Sequence, residues 1–214
     1  MKKKNVVVTI GLIVILTVIS GISFTSAYFQ DKDKIKNNFT TAIIETEIEE
    51  KFEPDVENPK RFIKEVKIRN SARTESLIRV SINEIWRDEN NPEWVGEVNS
   101  SLVTLNYDKN LDSNWIYGND GYYYYRKKLA PDESTELLLE SVVFNEIEDD
   151  SEYIDKTYEI DIKSEAVQAN RFIDEDNNEI YSYEKVWLNI TDENVIRVLK
   201  NIINGDSIII GDGE

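Results

Sequence analysis

Apolar and polar residues alternate with a period of two along much of the chain. Ala42, Ile44, Thr46 and Ile48 form one phase and Glu45, Glu47 and Glu49 the other, beside a lone Ile43. Val66 and Ile68 stand against Glu65, Lys67 and Arg69, and Ile78, Val80 and Ile82 against Arg79, Ser81 and Asn83. The pattern returns in Tyr158, Ile160 and Ile162 against Glu159, Asp161 and Lys163. Successive side chains of a strand point to opposite faces, so each segment predicts a strand with one buried and one wet face. Leu102 to Tyr107, Tyr122 to Lys127 and Leu137 to Phe144 are further candidates, separated by turn-prone stretches such as Asn119-Asp120-Gly121 and Ala130-Pro131-Asp132-Glu133. Short strands punctuated in this way predict a mainly β fold, an antiparallel β-sandwich. The block from Ile85 to Asn119, with Trp86, Trp94 and Trp115 among Asn, Asp and Gly, reads as an elaborated crossover with some local structure.

The period changes near the end. Val195, Ile196, Val198, Leu199, Ile202 and Ile203 recur at helical spacing after Thr191-Asp192-Glu193 and before Asn204-Gly205. A polar cap with acids at the start and a glycine past the end predict a capped C-terminal helix. Ser207 to Ile210 reads as a short final strand or an apolar tail.

The N-terminus follows a different rule. Lys2, Lys3 and Lys4 precede a charge-free run from Val6 to Phe24, which ends at the small residues Thr25, Ser26 and Ala27. This is the layout of a signal peptide over residues 1–27, with Thr25 and Ala27 suited to the pockets of a signal peptidase and Tyr28 as the new N-terminus. The alternative is an uncleaved anchor, because the apolar run is just long enough to span a bilayer. Removal of residues 1–27 takes away three lysines and no acid, which moves the formal charge from −17 to −20. So acidic a chain repels nucleic acid and anionic lipid, and the expectation is no nucleic-acid partner and no membrane contact beyond the precursor's signal peptide.

Candidate chemistry is sparse. Histidine and cysteine are both absent, which removes the usual general base, the usual zinc ligand, the cysteine nucleophile and any disulfide. No phosphate loop, nucleophile elbow or dinucleotide fingerprint occurs, and acids are so numerous that a glycosidase-like pair arises by chance. The expectation is a protein without enzymatic activity, metal or cofactor. Asp174, Asp176 and Asn178 begin like a calcium loop, but Glu179 stands where the turn wants Gly and Lys185 where a bidentate Glu belongs, which favours a solvated loop. Tyr122, Tyr123, Tyr124 and Tyr125 are candidate surface aromatics for glycan or protein binding; the alternative is a strand that buries alternate rings.

Four regions carry a family resemblance. The junction Thr25-Ser26-Ala27-Tyr28-Phe29-Gln30-Asp31, followed by Asn38-Phe39-Thr40, resembles the start of proteins processed by the signal peptidase SipW, among them TasA and camelysin. Trp115 to Tyr125, Leu129-Ala130-Pro131-Asp132-Glu133-Ser134-Thr135 and Glu165-Ala166-Val167-Gln168-Ala169 are similar to the clostridial BsaA branch of these biofilm matrix proteins. The resemblance covers roughly Met1 to Ala169. It implies a jelly-roll-like sandwich over 40–169 and a secreted subunit of a matrix or pilus-like fibre at the surface of a Gram-positive bacterium. Its partners are then further copies of itself in a head-to-tail polymer, a SipW-type signal peptidase and other matrix components. It also implies that residues 28–39 act as a donor strand on the next subunit, with Tyr28, Phe29, Ile35 and Phe39 filling pockets; the alternative is a terminus without fixed structure. Residues 170–214, with their helix, extend past the family pattern. Camelysin relatives have been classed as metallopeptidases, a label that a chain without histidine does not inherit. The competing function is a monomeric acidic surface adhesin or binding module.

Overall fold

A computed structural model describes residues 45–145, 152–174 and 176–205. Eleven strands and three helices are present among them. In chain order they are β1 (Thr46–Pro54), β2 (Arg61–Asn70), β3 (Ser76–Asp88), β4 (Asn91–Gly96), β5 (Val103–Tyr107), α1 (Leu111–Asn114), β6 (Trp115–Tyr117) and β7 (Tyr123–Tyr125). Then follow β8 (Leu139–Phe144), β9 (Thr157–Gln168), β10 (Arg171–Ile173), β11 (Glu179–Tyr181), α2 (Ser182–Val186) and α3 (Glu193–Asn204). The signal-peptide segment, its cleavage site at Thr25, Ala27 and Tyr28, the donor segment with Phe29, Ile35 and Phe39, and the tail Ser207 to Ile210 lie outside the described residues.

The alternating segments make the longest strands. One sheet has the order β1-β2-β8-β5. In the other, β3 pairs with β9 along one edge, from Ser76 opposite Gln168 to Arg87 opposite Thr157. Its other edge is shared by β7, at Arg79 and Val80, and by β4, at Trp86 to Asp88; β6 pairs with β7 beyond. All these pairings are antiparallel.

The inward phases of the two sheets pack together, as alternation requires. Ile68, Ile78, Val80, Trp115, Tyr125, Leu129 and Leu138 make one part of the core, and Val66, Trp86, Val103, Leu139 and Val142 the other. Buried Asn70 holds the β2–β3 connection: its amide donates to the carbonyls of Thr74 and Leu129 at 2.9 and 2.8 Å and accepts from the Ala72 N–H at 3.0 Å. A buried side-chain amide is tolerated because it is satisfied in this way.

The block from Ile85 to Asn119 differs from the expected crossover. Trp86 belongs to β3, which runs on to Asp88, and the rest of the block supplies β4, β5, α1 and β6. β5 lies within the expected strand from Leu102 to Tyr107, whereas the Asn- and Asp-rich turns hid β4 and β6, strands of six and three residues that are too short for a periodic signal.

The helix at the end, α3, forms as the spacing predicts. Asp192 is its N-cap and accepts from the N–H groups of Asn194 and Val195, and Gly205 terminates it in the left-handed conformation. Its apolar stripe of Val195, Val198, Leu199, Ile202 and Ile203 packs with Tyr181, Tyr183 and Trp187 on Leu77, Tyr124 and Val167. Those three belong to the outward phase of the β3–β9–β7 sheet, because Leu77 pairs with Val167 while neighbouring Ile78 and Ala166 face inward. The C-terminal residues thus add a third layer on the back of one sheet.

Candidate assembly surface

The tyrosine run follows a tight turn. The Gly118 N–H donates to the Tyr122 carbonyl at 2.8 Å, and Gly121 takes a positive φ of 83°. A Cβ at Gly118 would lie 2.7 Å from Asp120 Oδ1 and 3.0 Å from Tyr124 Cε2, so glycine lets the turn close against these two side chains. The four tyrosines then point alternately to the two faces of β7. Tyr123 and Tyr125 face the sandwich core, and Tyr124 lies under the C-terminal layer. Tyr124 and Tyr125 are buried and Tyr122 and Tyr123 half-buried, so the run is no exposed aromatic platform. The physical reason is that both faces of this strand are covered.

Under the third layer lies a polar cluster that sequence reading missed. The Arg79 guanidinium donates to Glu165 Oε2 through Nε at 2.9 Å and Nη2 at 2.6 Å, and through Nη1 to Tyr124 Oη at 3.2 Å. Asp120 Oδ2 is 3.5 Å from it, and accepts from Tyr124 Oη at 2.6 Å. The Tyr122 ring lies 4.0 Å and the Trp187 ring 4.9 Å from the guanidinium carbon, so the cation is held between two π faces. Tyr122 Oη and Lys163 Nζ complete the group on Glu165 Oε1 at 3.0 and 2.5 Å. Burial pushes the Glu165 carboxyl up, but the hydrogen bonds and charges of Lys163, Arg79 and Tyr122 outweigh it and hold the group below its ordinary value. Burial, reinforced by the bond to Asp120, pushes the Tyr124 phenol well above the ordinary tyrosine value. Every acid in contact with Arg79 is thus spoken for, and the arrangement is that of a docking joint. A signal was present: Leu77-Ile78 and Ala166-Val167 place apolar residues on both phases of adjacent strands, as a sheet covered on both faces requires.

Asp174, the first residue of the calcium-like run, serves its own turn between β10 and β11. Its Oδ1 accepts from the Asn178 N–H at 2.7 Å and its Oδ2 from the Asn178 amide at 3.1 Å.

The open side of the sandwich lies elsewhere. Among the described residues β1 pairs only with β2, and β9 only with β3, so each presents an unpaired backbone edge. The two edges belong to different sheets and touch where Thr46 Oγ1 and Ser164 Oγ share a hydrogen bond of 2.7 Å. Further along β1 the inward phase reaches Phe52, opposite Lys64, and this residue is 64% exposed. Ile160 and Ile162, on the inward phase of β9, are only half-buried. Glu50 and Lys64, also inward, form an ion pair of 2.5 Å, and Lys64 Nζ sits 5.8 Å from the Phe52 ring centroid. From Phe52 a row of rings runs through Phe62, Phe144, Tyr158 and Trp86 to Tyr153 and Trp94, each 5.0 to 5.7 Å from the next. The result is an apolar seam flanked by two free strand edges.

Comparison of the chain with protein-family models, with curated proteins and with solved structures finds no match in any of the three.

Proposed function

We propose that this chain is a secreted structural subunit of a biofilm matrix or pilus-like surface fibre, and that it assembles by adding its N-terminal segment to a neighbouring subunit. The observation that carries this reading is the seam between β1 and β9, where two unpaired edges border half-buried and exposed apolar side chains. Unpaired N–H and C=O groups beside apolar pockets are what an extended segment needs in order to add as a strand. The resemblance of Thr25 to Thr40 and of Trp115 to Tyr125 to SipW-dependent matrix proteins supplies the donor, residues 28–39, and with it a jelly-roll-like fold, release by a SipW-type peptidase and export from a Gram-positive cell. A head-to-tail contact of this kind does not close on itself and so propagates as a filament. In this reading the chain has no catalytic role and no cofactor, and its partners are other copies and other matrix components.

The test is deletion of residues 28–36 from the secreted chain, followed by sedimentation and electron microscopy. The full secreted chain is expected to form filaments above a threshold concentration, and the deletion variant to remain monomeric. Identical filaments from both would sink the donor-strand assembly. A wild-type chain that stays monomeric at all concentrations and binds a surface ligand would instead favour the adhesin.

A further inference from the structure

Resting on the fibre reading above, the charges along β9 go further and specify how the incoming segment is read. The outward row of β9 is Thr157, Glu159, Asp161 and Lys163, all exposed. Glu159 shares Arg87 Nε at 2.7 Å, whereas Asp161 forms no ion pair among the described residues. In residues 28–39 an extended conformation puts Tyr28, Lys32, Lys34 and Lys36 on one face and Phe29, Asp31, Asp33, Ile35 and Phe39 on the other, so that Tyr28 stands apart from the other three apolar anchors. The apolar residues Phe29, Ile35 and Phe39 favour burial of their own face in the seam, and three ammonium groups on the other face avoid a large desolvation cost by lying outward. There they adjoin the outward row of β9.

We propose that Glu159 and Asp161 are specificity-determining residues that select the Lys32–Lys36 segment of a second copy and fix the face and register in which it adds. Opposite charges directly across neighbouring strands attract and like charges repel. Two acids followed by Lys163 therefore favour registers that place lysines at Glu159 and Asp161 and none at Lys163. On the inward phase Asp31 and Asp33 accompany the apolar residues, and Lys64, which pairs with Glu50, lies there beside the exposed Phe52. The same charges oppose the commonest error at a free edge, pairing of β9 with β9, by setting acids against acids.

The test is a charge swap in the secreted chain. E159K/D161K changes two exposed side chains, and circular dichroism with thermal unfolding checks that the fold is kept. The threshold concentration for filaments is expected to rise about tenfold or more at low salt, and the effect to shrink near 1 M salt, where charges are screened within about 3 Å. Adding K32E/K34E/K36E to the same chain is expected to restore assembly, while the triple change alone impairs it. Filaments that require residues 28–36 but form equally well from E159K/D161K overturn this inference and leave the donor strand standing. Filaments that survive deletion of 28–36, or a wild-type chain that never self-associates, overturn both.

Discussion

Arg79 shows how one residue joins layers. Its side chain is 10% exposed, and its carboxylate partners Glu165 and Asp120 come from the sandwich side, whereas the C-terminal layer offers the Trp187 ring. The cation is therefore neutralised within the sandwich, and the third layer gains a π contact without supplying a charge. Arg79→Leu leaves two carboxylates facing an apolar group, and loss of one partner from a buried pair costs about 3 kcal/mol. Urea unfolding is expected to show that loss, and Arg79→Leu combined with Glu165→Leu to recover part of it. A single variant as stable as wild type would mean that the pair is effectively solvated. In the sequence Arg79 itself is one polar residue in an alternating strand, and only the neighbouring apolar pairs Leu77-Ile78 and Ala166-Val167 mark its face as covered. Part of its cover is Trp187, more than a hundred residues later.

Elements tell a more even story. The strands β1, β2, β3 and β9 follow from alternation, because a half-buried strand requires a period of two. The helix α3 follows from its stripe and caps, with Asp192 Oδ1 accepting from Asn194 N at 2.9 Å. Asp192→Ala is expected to lower stability by about 1 kcal/mol in urea unfolding, and Asp192→Asn to lower it by much less, since Asn also caps. An equal loss for both would place the role of Asp192 in its charge. The short strands β4 and β6 were obscured, because three to six residues at the edge of a sheet carry too little of a period to read, whereas β5 and β7 lie within the expected Leu102 to Tyr107 and Tyr122 to Lys127. Pairing of β7 with β3, Tyr124 opposite Arg79, also determines what the tyrosine run does. The rings are core residues of two separate clusters.

For the whole molecule, stability without disulfides rests on aliphatic and aromatic side chains packed between three layers. That choice has a pH signature. Burial raises the phenol groups of Tyr107, Tyr124, Tyr125, Tyr158 and Tyr183 above the ordinary value of 10.0. The folded state thus prefers the neutral phenol, and the unfolded state loses its proton first. Their contribution is fully present below about pH 10 and is lost as pH rises above it. The urea midpoint is expected to fall between about pH 8 and about pH 11, with phenolate absorbance appearing only as the chain unfolds. Phenolate formation in the folded chain near pH 10 would show that these rings are open to water.

By itself the sequence determined a mainly β chain with a capped terminal helix, since periodicity and caps are local consequences of strand and helix geometry. It also determined the strong negative charge and the absence of histidine and cysteine. Tertiary structure decided which faces are covered. Leu77 and Val167 stand on a nominally wet phase yet are buried, and Phe52 stands on the inward phase yet is exposed. Alternation records the two sides of a strand; it does not record what packs on each side. That depends on contacts between segments far apart in the chain, such as α3 on β3 and the gap between β1 and β9.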